Sequence, residues 1–111
     1  MRTVLVVAPH PDDETLGCGG TLLRHRDEGC ALHWLIATRA AAGEGVSQEW
    51  VDQRERTIER VAEAYGMVEV HRLEATATRL DAIPLADLVG ATAEVFSKVA
   101  PRVVYLPHPG D

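Results

Sequence analysis

The sequence predicts an α/β fold: a Rossmann-like parallel sheet with helices on both faces and the strand order 3-2-1-4. Three observations lead there. Residues 3 to 8 (TVLVVA) form an unbroken apolar, largely β-branched run, the pattern of a strand buried on both faces in a parallel sheet. Such runs alternate with segments of helical period and short links, giving β-α-β-α-β-α-β. Residues 68 to 73 (VEVHRL) alternate apolar and polar, which suits an edge strand better than a central one. In a doubly wound sheet the fourth strand returns beside the first, and a ligand cleft opens where the winding reverses.

Taken in order, the elements follow from local chemistry. After the first strand, residues 14 to 29 place Leu16, Gly20 and Leu23 at helical spacing, with Arg24, Arg26, Asp27 and Glu28 toward the end and Gly29 as the stop. Residues 31 to 37 (ALHWLIA) read as the second strand, and residues 38 to 46 (TRAAAGEGV), small and glycine-containing, as a loop. Ser47 caps a second helix that runs to Tyr65, carries Trp50, Ile58, Val61 and Ala62, and stops at Gly66. Residues 74 to 81 connect the third strand to a third helix. Pro84 occupies a first-turn position there, and Leu85, Leu88, Val89, Ala93 and Phe96 form the stripe expected to be buried. Residues 102 to 106 (RVVYL) make the fourth strand. The loops at residues 9 to 13 and 107 to 111 (PHPGD) should therefore flank the cleft.

Composition excludes several classes. The 111 residues, 46% apolar and 25% charged, match a single folded domain over residues 1–111 and not a disordered chain. A net charge of −6 with scattered Lys and Arg argues against nucleic acid or acidic membranes as partners. Cys18 and Cys30 are too few for a disulfide framework and too far apart for a Cys-x-x-Cys pair. The apolar run before Pro9 is too short for a signal-peptide core or a membrane span, so a cytoplasmic location is expected.

Chemistry concentrates in Pro9-His10-Pro11-Asp12-Asp13-Glu14. Two prolines in three residues stiffen this loop and remove two backbone donors. Acids at a helix start satisfy free N–H groups and oppose the dipole, but one acid is enough for that. His10 and Asp13 in a stiffened turn put an imidazole nitrogen and a carboxylate within reach of one cation, with Asp12 free to point at a water on it. Metal chemistry is favoured over pure capping, much of the weight resting on the resemblance described below. Gly17, Gly19 and Gly20 cost about 1 kcal/mol each inside a helix. They do not fit the dinucleotide pattern Gly-x-Gly-x-x-Gly, since Leu22 takes the last position. Close packing of helix on sheet explains them better than a phosphate cradle. His25, His33 and His71 read as structural, without an acidic partner at ligand spacing, whereas His108 faces His10 across the predicted cleft.

The loop resembles the hallmark of the PIG-L/LmbE-like zinc-dependent de-N-acetylases, which have Ala-His-Pro-Asp-Asp-Glu after the first strand. The likeness continues through Leu16-Gly17-Cys18-Gly19-Gly20-Thr21-Leu22, Thr38-Arg39, Gly43 and Arg54. It implies Zn2+, or another divalent transition metal, held by His10 and Asp13, with Asp12 as general base and Arg54 in the substrate pocket. The implied reaction is hydrolysis of the N-acetyl group of a GlcNAc-type sugar or glycoconjugate, a small-molecule partner. Two departures stand out. Thr57 replaces a glutamate that many relatives have three residues after the arginine. The family's third zinc ligand and an oxyanion-stabilising histidine come from a His-x-x-His motif shortly after the fourth strand, about where this sequence stops. The resemblance thus makes residues 1–111 the N-terminal part of a longer de-N-acetylase domain, with His108 as the alternative third ligand.

Three other readings compete. A nucleotide-binding module suits the fold outline but not the glycine pattern. A phosphoacceptor receiver domain needs an Asp after the third strand, where this chain has Leu73-Glu74-Ala75. An inactive fragment would keep the fold with an incomplete metal site. The sequence is compatible with a homo-oligomer and does not select a particular acylated amine.

Overall fold

The apolar runs assemble into one four-stranded parallel sheet in the order β3-β2-β1-β4. In the computed structural model, which describes residues 2–11, 13–39, 42–43, 45–76 and 84–107, the strands are β1 (Thr3–Ala8), β2 (Ala31–Arg39), β3 (Glu69–Thr76) and β4 (Val103–Tyr105). The helices are α1 (Asp13–Asp27), α2 (Gln48–Tyr65) and α3 (Leu85–Val99). This is the predicted order, with β3 at an edge.

Alternation along the strands divides the core into two layers, because successive side chains point to opposite faces. On one face Val4, Val6, Ala8, Leu32, Trp34 and Ile36 pack with Leu22 of α1 and with Ile58 and Tyr65 of α2. On the other, Leu5, Leu35 and Leu73 pack against Leu88, Ala91, Val95 and Phe96 of α3. Both faces are therefore covered, as a parallel sheet requires.

The ends of α2 follow from two residues. Ser47 Oγ accepts a hydrogen bond from the Trp50 amide at 3.1 Å, satisfying one of the free N–H groups of the first turn, a contribution of about 1 kcal/mol. Gly66, at φ 70°, turns the chain out of the helix, and the next amide, of Met67, donates to the Ala62 carbonyl at 2.9 Å. Gly29 stops α1 in the same way at φ 82°.

Several packing details differ from expectation, each for a local reason. In α1 it is Leu22 that is fully buried, while Leu23 is 39% exposed. Cys18 has φ −147° and ψ 28°, a break inside the helix that resets its phase and spoils the spacing counted from Leu16. In α3 only Leu88 and Phe96 of the expected stripe face the core, whereas Leu85 and Val89 are 75% and 60% exposed. That helix is apolar around most of its circumference, so periodicity alone does not select the inward face. Val51, not Trp50, is the buried residue in the first turn of α2. The proposed close contact of three glycines with the sheet is also corrected. A Cβ on Gly17 or Gly20 would meet nothing, and one on Gly19 would lie 3.0 Å from the Tyr65 hydroxyl, on α2. Only Gly19 marks a close approach, and it is between helices.

Candidate metal and substrate site

The candidate loop leaves the sheet at the carboxyl end of β1. Val6 lies opposite Tyr105, so the chain segments that follow β1 and β4 start side by side, at the position where the winding of the sheet reverses. His10 is exposed there, and α1 begins three residues later at Asp13. Asp12 and His108 lie outside the described residues.

Beyond its two prolines, the loop is tied to its neighbour strand. Thr38, 1% exposed, donates from Oγ1 to the Pro9 carbonyl at 2.8 Å. The bond satisfies a buried hydroxyl and fixes the residue next to His10. β2 itself runs on to Arg39, past the apolar segment that marked it in the sequence, where Thr38 and Arg39 pair with Ala75 and Thr76 of β3.

Behind the loop, between the first turn of α1 and the N-terminal half of α2, lies a cleft of about 400 Å3. Pro11, Thr15, Trp34, Trp50 and Arg54 all border it, so Arg54 and the candidate loop share one cavity. The Arg54 guanidinium carbon sits 5.3 Å from the centroid of the Trp50 ring, a cation–π contact that holds the charge in place. The other wall is fixed by Thr15, whose hydroxyl is 2.8 Å from that of Tyr65. Gly19 leaves the space the Tyr65 hydroxyl needs. The sequence placed Trp50 on α2 without a role and marked Thr38 only through the family likeness; it did not single out Thr15, nor Tyr65 beyond the end of the helix. The cluster of glycines was the one signal that something approaches α1 closely.

The described residues contain no group of three His, Cys, Asp or Glu side chains able to hold a metal ion. The donor set at the loop is nevertheless of a type that suits zinc and its neighbours, an exposed imidazole at His10 followed within one turn by a carboxylate residue at Asp13. His10 and Asp13 are residue types that could supply two ligands of such an ion.

The other described histidines, His25, His33 and His71, make contacts within the fold, and His71 departs from the expectation. His25 Nε2 is 2.7 Å from the Tyr105 hydroxyl and joins α1 to β4. His71, 7% exposed, does have an acidic partner, since its Nδ1 lies 2.9 Å from Glu69 Oε2, two residues earlier on the same strand face. Its Nε2 is 3.1 Å from His33 Nδ1, and Lys98 of α3 reaches Glu69 Oε2 at 3.0 Å. Burial holds the pKa of both histidines below the usual imidazole value, against the pull of Glu69. This chain of contacts joins β2, β3 and α3 on the sheet face opposite the cleft.

Comparison with known proteins agrees with the geometry. The family described as "PIG-L: GlcNAc-PI de-N-acetylase" matches residues 5–111. The chain is 45% identical over 49 residues to a 1D-myo-inositol 2-acetamido-2-deoxy-alpha-D-glucopyranoside deacetylase of Rhodococcus jostii, covering 44% of this chain and 17% of that protein. It is 29% identical over 113 aligned positions to a diacetylchitobiose deacetylase of Thermococcus kodakarensis, covering 98% of this chain and 42% of that one. The solved N,N'-diacetylchitobiose deacetylase of Pyrococcus horikoshii superposes with a TM-score of 0.83 at 26% identity, over 97% of this chain and 41% of that one. The chain thus spans less than half the length of these relatives.

Proposed function

Because the chain belongs to the PIG-L family, we propose that it provides the N-terminal part of a hydrolase that removes the acetyl group from a GlcNAc-type sugar or glycoconjugate. The observation that carries this reading is the shared cavity. The stiffened His10 loop, through Pro11, and Arg54, separate in sequence, border one cleft between α1 and α2. His10 and Asp13 hold a zinc ion or another divalent transition metal. When bound, that ion supplies Lewis-acid polarisation of the amide carbonyl and acidifies a water. Asp12 takes a proton from the attacking water and returns one to the leaving nitrogen, so that amide plus water gives acetate plus amine. Arg54, steadied by Trp50, orients the sugar. The Thr38 bond to Pro9 limits how far His10 can wander from its productive position.

A catalytic zinc site takes three protein ligands and a water, and His10 with Asp13 supply two. We therefore read residues 1–111 as part of a longer catalytic domain whose third ligand follows Asp111, in keeping with the length of the relatives. The expected location is cytoplasmic, and among the described residues no helix is long and apolar enough to cross a membrane. Acetate release from N-acetylglucosamine conjugates tests the reading, measured with the 111-residue chain, its His108→Ala variant and a product extended past Asp111. The expected result is release by the extended product alone. Full activity in the short chain, lost in His108→Ala, would make His108 the third ligand. No release by any of the three would overturn the deacetylase reading.

A further inference from the structure

Arg72 lies on the edge strand β3, yet its side chain is only 11% exposed. Alternation along the strand puts it on the same face as Val70, the face that α1 and α2 cover. There its Nη1 donates to Glu55 Oε2 of α2 at 2.6 Å, and its Nη2 donates to the Thr38 carbonyl of β2 at 3.3 Å. Its buried Nε has no partner among the described residues. One planar guanidinium therefore ties β3, β2 and α2 together.

Stability alone does not account for this arrangement. Removing an ion pair from water costs much of what the mutual attraction returns, and apolar residues of similar size commonly fill such a place as well or better. An N–H buried without an acceptor adds to the cost. The second arm of the fork shows what the arrangement holds. Thr38 is 1% exposed, and its hydroxyl donates to the carbonyl of Pro9, the residue before His10. The sheet register slips at the same point: Ile36 pairs with Arg72 but Thr38 pairs with Ala75, so residues 36 to 38 of β2 run beside residues 72 to 75 of β3. An extra residue of this kind interrupts the ladder and re-aims side chains, and such bulges collect beside active sites. Arg72 spans the slip by donating to the carbonyl on its far side. Thr38 is thus gripped by its carbonyl from β3 while its hydroxyl grips the loop that follows β1.

We propose that Arg72, locked in place by Glu55, is a positioning residue for the His10 loop and acts through Thr38. The rigid fork makes the two contacts interdependent, since Glu55 fixes the direction in which Nη2 points. Its effect on zinc rests on the metal reading of that loop; its effect on the placement of His10 does not.

The test uses the intact, metal-free chain, with the NMR order parameter of the His10 amide as readout and calorimetric Tm measured alongside. In the wild type the order parameter is expected near the rigid value of about 0.85. Arg72→Lys keeps a cation for Glu55 but loses the fork, and should lower the value toward about 0.6, as Thr38→Val does. In a Thr38→Val background the same change should lower Tm again while leaving His10 where Thr38→Val alone puts it, the non-additivity of residues that act in series. A merely structural role would lower Tm in both backgrounds and move His10 in neither. Glu55→Ala leaves β3 intact and frees the fork to swing, so it should loosen His10 in smaller measure, and it carries the test if Arg72→Lys does not fold. Zinc titration of the same variants should show affinity reduced by about tenfold, the lower end of the range for groups that orient a ligand from behind. A loosened His10 with unchanged zinc affinity would uphold the positioning role while counting against the metal reading. An unchanged order parameter in the folded variant, a His10 already mobile in the wild type, or a loss that persists undiminished in the Thr38→Val background would each overturn the proposal.

Discussion

Replacing Thr38 by valine separates the two things its hydroxyl does. The side chain is 1% exposed and keeps its β-branched shape in the substitution, so no cavity opens and the strand preference is retained. What is lost is the 2.8 Å hydrogen bond to the Pro9 carbonyl. A neutral bond of this kind contributes about 1 kcal/mol net to stability. For 111 residues at about 2.1 cal/mol/K each, the unfolding entropy is near 0.23 kcal/mol/K, so Tm should drop by about 4 °C. The effect on metal binding should exceed that on stability, because the bond positions the residue adjoining His10. Groups that orient a ligand from behind typically change metal affinity by about 10–100-fold. Calorimetric unfolding and zinc titration on the same preparation check both numbers. A Tm loss of the expected size with unchanged zinc affinity would refute the reasoning, showing that the two prolines hold His10 without help from β2.

Three further outcomes are expected. Leu22→Ala should cost about 2–5 kcal/mol in urea unfolding because it empties a fully buried site, whereas Leu23→Ala should stay within about 0.5 kcal/mol; equal costs would contradict the helix phase described for α1. Asp12→Asn in the catalytically complete protein should keep its metal and lose turnover by about 10²- to 10⁴-fold, and parallel loss of metal would instead make Asp12 a ligand. Because burial lowers the folded-state pKa of His33 and His71, the unfolded chain binds protons first. Stability should therefore be level above about pH 6.5 and decrease as pH falls through the lowered folded values, by at most about 1.4 kcal/mol per pH unit for each histidine and less where the ring is partly exposed. Urea midpoints from pH 8 to pH 5 for the wild type and His71→Gln should differ in slope over that interval, and parallel curves would rule the pair out as its source.

The fold was legible in the sequence because its signals are local. Buried strands announce themselves as apolar runs, Ser47 and Gly66 bracket α2, and the alternation of VEVHRL marks the edge of the sheet. Packing was less legible wherever one residue reset a pattern. The break at Cys18 shifted the inward face of α1, and the all-round apolar character of α3 hid which side meets Leu5 and Leu35. At the site, His10 and its flanking prolines stood out as chemistry, and Arg54 stood out through resemblance. The placement of Arg54 on the same cleft as Pro11 needed the third dimension, as did the role of Trp50, a large apolar residue that is 48% exposed and stacks on Arg54. The Glu69, His71 and His33 contacts were equally hidden, since the link between the two rings depends on the register that pairs His33 with Glu69 and Leu35 with His71.

The most direct test of the account is zinc binding by the protein and by its His10→Ala and Asp13→Ala variants, measured by titration with elemental analysis of the saturated samples. The account predicts that either substitution lowers affinity by at least about tenfold while secondary structure is retained, since each removes one ligand of a small set. Equal zinc affinity and content in all three proteins would contradict it, and would leave the acids at the start of α1 as helix caps.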